Sequence, residues 1–163
     1  MYEAVRERIP HLKGMGGWLA FLVVTLMVLW PLSGLIGIYE SFAQIEQTVD
    51  VAGTAAWQKY KVVNWLLFIV SAVVSFLAGY RLYKAHDKES VHFAVYAIWF
   101  AGPVLSLAAS MTGLILLNAP YVEGGLRQGL ANIVFSVVAA ALGTVYLKRS
   151  VRVKNTYNLP WYS

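Results

Sequence analysis

The stretch Val62–Tyr80, VVNWLLFIVSAVVSFLAGY, holds 19 consecutive residues with no Asp, Glu, Lys or Arg. Three further stretches share this lack of charge, namely Trp18–Tyr39, Phe93–Val122 and Gln128–Leu147. A helix needs about 20 apolar residues to cross a bilayer's hydrocarbon core, and a charge at its centre costs roughly 2.5–3.5 kcal/mol. The sequence therefore predicts four transmembrane helices.

Composition leaves little room for anything besides these helices. The chain has 163 residues, of which 59% are hydrophobic and 13% charged, whereas soluble domains carry about 25% charged residues. We therefore expect one transmembrane domain over residues 1–163, an all-α four-helix bundle whose neighbouring helices run antiparallel. Its predicted spans are 17–39, 62–83, 93–118 and 126–147, with a longest external loop over 40–61 and a basic tail over 148–163.

The cations are distributed unevenly between the two predicted faces. Of the 13 lysines and arginines, ten lie in the N-terminal tail, the 81–92 loop and the C-terminal tail, and three lie on the other face. The eight acidic residues divide equally, so the positive-inside rule places both termini in the cytoplasm. The sequence pI of 9.5 does not indicate nucleic-acid binding, because the basic residues flank apolar spans and suit lipid headgroups.

Residues that bind metals or cofactors are scarce. The chain has no cysteine, which excludes disulfides, thiolate metal sites and iron–sulfur clusters. His11, His86 and His92 all fall at the predicted cytoplasmic face, so none is placed to hold haem inside the bundle. His86 and His92 with Asp87 and Glu89 match no familiar zinc spacing. We expect no metal and no cofactor.

Catalytic patterns are also missing from the sequence. No ionisable residue lies in the middle of a span, which argues against a proton-coupled transporter. Glu40, Glu46 and Asp50 face Lys59 and Lys61 in the longest loop, where solvated charges are commoner than an acid–base pair. The motifs G-x-S-x-G and H-E-x-x-H and the phosphate loop are absent. The sequence predicts no enzyme, and a lipid-modifying enzyme is the least favoured hypothesis.

Small residues spaced four apart indicate where the helices should touch, because close packing and interhelical hydrogen bonds hold membrane helices together. The predicted packing residues are Ser71, Ser75 and Gly79 in the second span, Gly102, Ser106 and Ser110 in the third, and Gly125, Gly129, Asn132 and Ser136 in the fourth. Asn64 and Asn132 are the strongest polar groups in the spans. An interhelical hydrogen bond is the favoured role for each, and a ligand contact in a cavity is the alternative.

Three further positions predict local structure. Pro31 and Pro103 predict kinks in the first and third spans, because proline removes a backbone donor and crowds the preceding turn. Thr54 predicts the N-cap of a helix that begins before the second span enters the bilayer.

The two ends of the apolar region carry the most distinctive motifs, Gly14–Phe21 (GMGGWLAF) and Tyr146–Tyr157 (YLKRSVRVKNTY). Their pairing resembles the bacterial domain-of-unknown-function 2569 family of small four-span inner-membrane proteins. The resemblance implies a multi-pass protein of the bacterial inner membrane. It supplies no catalytic residues.

The functional hypothesis favoured by the sequence is an accessory or assembly subunit that associates with other membrane proteins or with itself. The alternative is a small permease or channel in which the kinked spans form a path past Asn64 and Asn132. The expected partners are membrane lipids and membrane proteins, not nucleic acid. Four cations just past the last span are expected to contact lipid headgroups or a partner: Lys148, Arg149, Arg152 and Lys154.

Overall fold

A computed structural model describes residues 13–48, 53–117 and 123–159, and within these ranges the chain forms helices and no strands. The first span joins α1 (Trp18–Val24), a π-helical turn (Thr25–Leu29) and α2 (Trp30–Thr48), and the second span is α3 (Ala55–Lys84). The third span joins α4 (Lys88–Trp99), a second π-helical turn (Phe100–Val104) and α5 (Leu105–Leu116). The fourth span is α6 (Glu123–Arg149), and a short helix α7 (Val151–Tyr157) follows it.

Four of these helical segments are long and apolar enough to cross a membrane: Trp18–Gln47, Ala55–Lys84, Lys88–Leu116 and Gly129–Arg149. Consecutive spans pack against each other, so neighbours run antiparallel. The predicted all-α bundle of four membrane helices is therefore confirmed.

The bundle is closely packed in the half that contains both chain ends, which we call the closed half. Its core is formed by Leu19, Val23, Leu26, Ala78, Leu82, Val91, Ala94, Ala97, Leu147, Val153 and Tyr157. Gly79 brings the first two spans together, since a Cβ placed on it would overlap Met27 Cγ and lie 3.1 Å from the backbone oxygen of Val23. Helix backbones approach this closely only where one helix presents a small residue.

Both proline-bearing spans contain a π-helical turn near the proline. In the first span the π-helical turn Thr25–Leu29 ends two residues before Pro31, and in the third span Pro103 lies inside the turn Phe100–Val104. Proline clashes with the carbonyl four residues earlier, and a wider turn relieves this clash.

The helix of the first span extends further beyond its apolar stretch than expected. The prediction that the first helix ends near Tyr39 is wrong, because α2 continues to Thr48. Most of the predicted 40–61 loop is therefore helical. Thr54 does cap α3, accepting a hydrogen bond from the Trp57 amide at 3.2 Å.

The extra helical turns are held by a polar and aromatic contact between the first two spans. Glu46 Oε1 accepts hydrogen bonds from Trp57 Nε1 at 2.7 Å and from Lys61 Nζ at 3.2 Å. Phe42 packs edge-on against the fully buried Trp57, with ring centroids 5.6 Å apart. Glu46 and Lys61, expected to be solvated loop charges, are thus an ion pair between two helices, while residues 49–52 of this connection lie outside the described ranges.

Candidate functional site

A cavity of about 860 Å³ occupies the half of the bundle away from the chain ends, which we call the open half. Parts of all four spans form its walls, from Trp30 to Ile45, Tyr60 to Ser71, Ala101 to Leu117 and Gly129 to Ser136. The polar side chains that line it belong to Ser33, Ser41, Gln44, Tyr60, Asn64, Ser71, Ser106, Ser110, Asn132 and Ser136. Among the described residues, none of the lining side chains carries a charge.

Asn64 serves both as a link between helices and as part of the cavity wall. Its Nδ2 donates to Tyr60 O at 2.9 Å and to Thr112 Oγ1 in the third span at 3.2 Å. The favoured interhelical hydrogen bond is therefore present, and the residue also lines the cavity. Asn132 lines the same cavity from the fourth span.

The π-helical turn of the third span receives a hydrogen bond from the second span. The amide of Leu105 donates to Phe100 O, five residues back, and to Gly102 O, three residues back. Ser71 Oγ donates to Ala101 O at 3.0 Å. Hydroxyl side chains of neighbouring membrane helices commonly satisfy carbonyls where proline disrupts the helix, so Ser71 compensates for Pro103.

The structure places the predicted packing residues at several different contacts rather than along one seam. Gly79 contacts the first span, while Ser75 is buried beside a second, smaller cavity. Gly129 faces Ser110, whose Oγ would lie 3.1 Å from a Cβ on the glycine. Ser136 is also buried.

Three further members of the predicted set have different surroundings. Gly102 faces Ser136 and Trp30, each with an atom 3.7 Å from where a glycine Cβ would lie. Ser106 lines the large cavity. Gly125 lies within α6, in a segment whose side-chain surroundings are outside the described residues.

At the closed end, the two distinctive motifs of the sequence meet in what we call the terminal junction, formed by residues 14–17, 82–86 and 152–157. The amide of Gly14 donates to Thr156 Oγ1 at 2.9 Å, a contact between residues 142 positions apart. A Cβ on Gly16 would lie 2.6 Å from Arg152 Nη1. Gly14 has φ of 93°, which glycine adopts without strain. The entry to the first span is thus fixed against the C-terminal segment.

Tyr157 lies at the centre of the terminal junction and is fully buried. Its hydroxyl donates to Leu82 O at 2.5 Å, a carbonyl in the last turn of α3, where the helix itself supplies no partner. Its ring stacks on His86 with centroids 5.9 Å apart, and burial raises the pKa of its phenol. The connection between the second and third spans is therefore attached to the C-terminal helix.

The four tail cations differ in their surroundings. Lys148 and Arg149 at the end of α6 are exposed, whereas Arg152 and Lys154 are half-buried on α7. The sequence predicts a basic tail over this segment, and the structure adds the helix α7. Val153, Thr156 and Tyr157 are all buried, and their spacing of three and four residues marks one face of a helix.

Asp87 and His86, which were considered for metal binding, make other contacts in the structure. Asp87 caps α4 by accepting a hydrogen bond from the Ser90 amide at 2.8 Å, and His86 stacks on Tyr157. The proximity of Ser90, whose amide donates this hydrogen bond, holds the pKa of Asp87 below its usual value. Within the described ranges, no three residues among the histidines and carboxylates come together as a metal site would require.

Comparison with known proteins gives one result that spans almost the whole chain. No curated protein and no solved structure matches the sequence. Residues 12–158 match the family described as "Protein of unknown function (DUF2569)". This range contains all four spans and both motifs of the terminal junction. The chain therefore belongs to the DUF2569 family.

Proposed function

We propose that this multi-pass membrane protein is non-enzymatic and binds a small uncharged solute in the large cavity, as the solute-holding part of a small permease. The observation that carries the proposal is a cavity of about 860 Å³ whose described lining is polar but uncharged. Ligand pockets commonly measure about 300–1,000 Å³ and combine apolar walls with a few polar groups.

The lining favours neutral solutes because nothing in it compensates a charge. An isolated ion taken from water into an apolar environment loses several kcal/mol or more of hydration energy. Asn64, Ser106 and Asn132 instead offer amide and hydroxyl groups, and Trp30 and Tyr60 add aromatic surface. This combination suits a molecule with hydroxyl or amide groups on a compact apolar frame.

The hydroxyls of the cavity support a binding role rather than a catalytic one. Ser110 Oγ donates to Ser106 O at 3.0 Å, and Ser136 Oγ donates to Ile133 O at 2.8 Å. A catalytic serine needs a base within hydrogen-bonding reach, whereas these two donate to carbonyls of their own helices.

The proposed orientation puts the terminal junction in the cytoplasm and the cavity mouth on the opposite face. The excess of cations beside the chain ends supports this orientation. The exposed Lys148 and Arg149 then lie where anionic headgroups contribute about 1 kcal/mol for each cation. The resemblance of the sequence to a family of four-span inner-membrane proteins supports placement in the bacterial cytoplasmic membrane.

A flux measurement tests the permease proposal. Purified protein is reconstituted into liposomes, and the entry of glycerol, urea and potassium chloride is followed by stopped-flow light scattering. We expect entry of at least one uncharged solute above the rate in protein-free vesicles, no entry of potassium chloride, and loss of the gain in Asn64→Leu and Asn132→Leu. Val134→Leu on the exposed surface serves as the control. Rates equal to those of protein-free vesicles for both uncharged solutes would contradict the proposal.

A second candidate function, that of an accessory subunit, is favoured by one feature of the first span. Ser33, Gly37 and Ser41 repeat at four-residue spacing and all line the cavity. A Cβ on Gly37 would meet nothing within 4 Å. Stripes of small residues let membrane helices approach closely, so a helix of another membrane protein would fit against this stripe.

Extraction in mild detergent at native expression, followed by mass spectrometry, tests the second candidate. An accessory subunit is recovered with one partner in fixed proportion, and Gly37→Leu releases that partner without unfolding the bundle. Recovery of the native chain as a lone monomer would count against this candidate and leave the solute-binding proposal standing.

A further inference from the structure

Trp30 lies between the large cavity and a second, smaller cavity in the closed half. The second cavity has a volume of about 80 Å³ and reaches Thr25, Ser75 and Gly143 in the closed half. Trp30 and Ala101 line both cavities. The indole ring is thus the largest side chain between the two spaces.

The indole ring of Trp30 packs against Gly102, which has no side chain to block its movement. Atoms Cζ2 and Cη2 of Trp30 each lie 3.7 Å from the position of a Cβ on Gly102. Glycine has no side chain to interlock with the indole, so the contact is a flat one.

Both helices in this contact have altered geometry at the same point. The first π-helical turn ends at Leu29, immediately before Trp30, and the second one contains Gly102. π-Helical turns are frequent at functional sites, and prolines bend the helices that contain them. Trp30 and the surface it contacts therefore lie on the two segments of the bundle best suited to local movement.

The smaller cavity has room and polarity enough to accept a polar guest. Thr25 Oγ1 is buried and has no hydrogen-bond partner in the described part of the chain, and Ser75 is 2% exposed. A cavity needs about 10–15 Å³ to accommodate one water molecule. The space beyond Trp30 therefore suits water or the hydroxyl group of a small solute.

We infer that Trp30 is the gate between the outer cavity and this inner chamber, and that movement of its indole extends the solute path to Thr25 and Ser75. The inference rests on the proposed function, since it takes the large cavity as the solute site. It adds a specificity step, because only solutes small enough to pass Gly102 reach the inner chamber.

Thiol labelling tests the gate, because the native chain contains no cysteine. Ser75→Cys reports on the inner chamber and Ser106→Cys on the outer cavity. Each is placed in the native chain and in Trp30→Ala, Trp30→Leu and Trp18→Ala backgrounds, where Trp18 is a control that is 71% exposed. Reaction with methyl methanethiosulfonate, a small uncharged reagent, is timed by mass spectrometry of the reconstituted protein.

The expected result is specific to one cysteine and one tryptophan. A gate open in about 0.1–10% of molecules predicts that removing the ring speeds labelling of Ser75→Cys by about tenfold or more. Labelling of Ser106→Cys should be unchanged in all backgrounds, and Trp18→Ala should change neither rate. Trp30→Leu keeps an apolar side chain and covers the case in which Trp30→Ala fails to fold.

Two outcomes overturn different statements. The gate inference is wrong if Ser106→Cys reacts but the labelling rate of Ser75→Cys is the same with and without the Trp30 ring, whether that rate is fast or slow. The outer cavity then still stands. If Ser106→Cys fails to react in every background, the outer cavity is inaccessible, and both the proposed function and the gate are overturned.

Discussion

Single side chains of the terminal junction account for much of what the sequence analysis did not foresee. Tyr157 was quoted as the last residue of a motif, yet it is fully buried and bonded to the end of α3. The apolar face of Val153, Thr156 and Tyr157 was detectable at helical spacing. Four cations in the same segment favoured the interpretation as a basic tail that contacts lipid headgroups or a partner.

Replacing Tyr157 by phenylalanine should destabilise the protein without changing its shape. The substitution removes the hydrogen bond to Leu82 O and leaves that buried carbonyl unpaired, which costs about 1–3 kcal/mol. Unfolding in detergent, followed by tryptophan fluorescence during denaturant titration, measures the loss. Tyr96→Phe is the matched control, since Tyr96 is 75% exposed. Equal stability of the two variants would show that the Tyr157 hydroxyl contributes nothing.

Asp87 gives the closed end a dependence on pH. Its pKa is lowered in the folded protein, so the stabilisation is present above the usual value of 3.8 and is lost as pH falls through the lower folded value. Asn caps helices nearly as well as Asp but does not titrate. The melting temperature of the native chain relative to Asp87→Asn should therefore fall as the solution is acidified below about pH 4. A difference that stays constant with pH would contradict this role for the carboxylate.

At the scale of helices, hydropathy located the spans but not the helix ends. Charges at Glu40 and Glu46 ended the apolar stretch, yet α2 continues to Thr48. Hydropathy indicates where the chain leaves lipid. A helix, in contrast, ends where its backbone hydrogen bonds are interrupted, often at glycine or proline. No glycine or proline lies between Glu40 and Thr48, and the Glu46 contacts with Trp57 and Lys61 hold the extra turns.

The close contact of the first two spans at Gly79 predicts a strong effect of added volume. Gly79→Val should destabilise the bundle by about 1–3 kcal/mol, because its side chain would overlap Met27 and crowd Val23 O. Gly37→Val is the matched control within a helix, as a Cβ there meets nothing within 4 Å. Denaturant titration of both variants measures the difference. If Gly37→Val were as destabilising as Gly79→Val, loss of glycine itself and not the close contact would explain the effect.

At the scale of the whole molecule, the number of spans followed from length and hydropathy, and the cavity did not. Spacing of small residues marked helix-packing positions without distinguishing them from cavity walls: Ser106 and Asn132 line the large cavity, while Gly79 and Ser75 are packed. Whether a small residue meets a neighbouring helix or a cavity depends on how far the spans separate. That separation depends on contacts between residues far apart in the sequence, such as the bond from Gly14 to Thr156, which no local pattern indicates.

The bundle is packed in the half that holds the terminal junction and contains the large cavity in its other half, and the solute-binding proposal rests on this asymmetry. The terminal junction ties both chain ends to the connection between the second and third spans. The packed core lies next to it, and the cavity lies beyond Trp30. A solute is therefore expected to enter from the face opposite the chain ends.

Side-specific labelling of two single cysteines tests this arrangement most directly. Ser106→Cys marks the cavity and Lys148→Cys marks the exposed surface beside the chain ends. An uncharged, membrane-impermeant methanethiosulfonate that carries a sugar group is applied separately to each face of oriented vesicles. We expect Ser106→Cys to react from one face only and Lys148→Cys from the other. Reaction of both cysteines from the same face, or failure of Ser106→Cys to react from either, would contradict a bundle that is open only away from its chain ends.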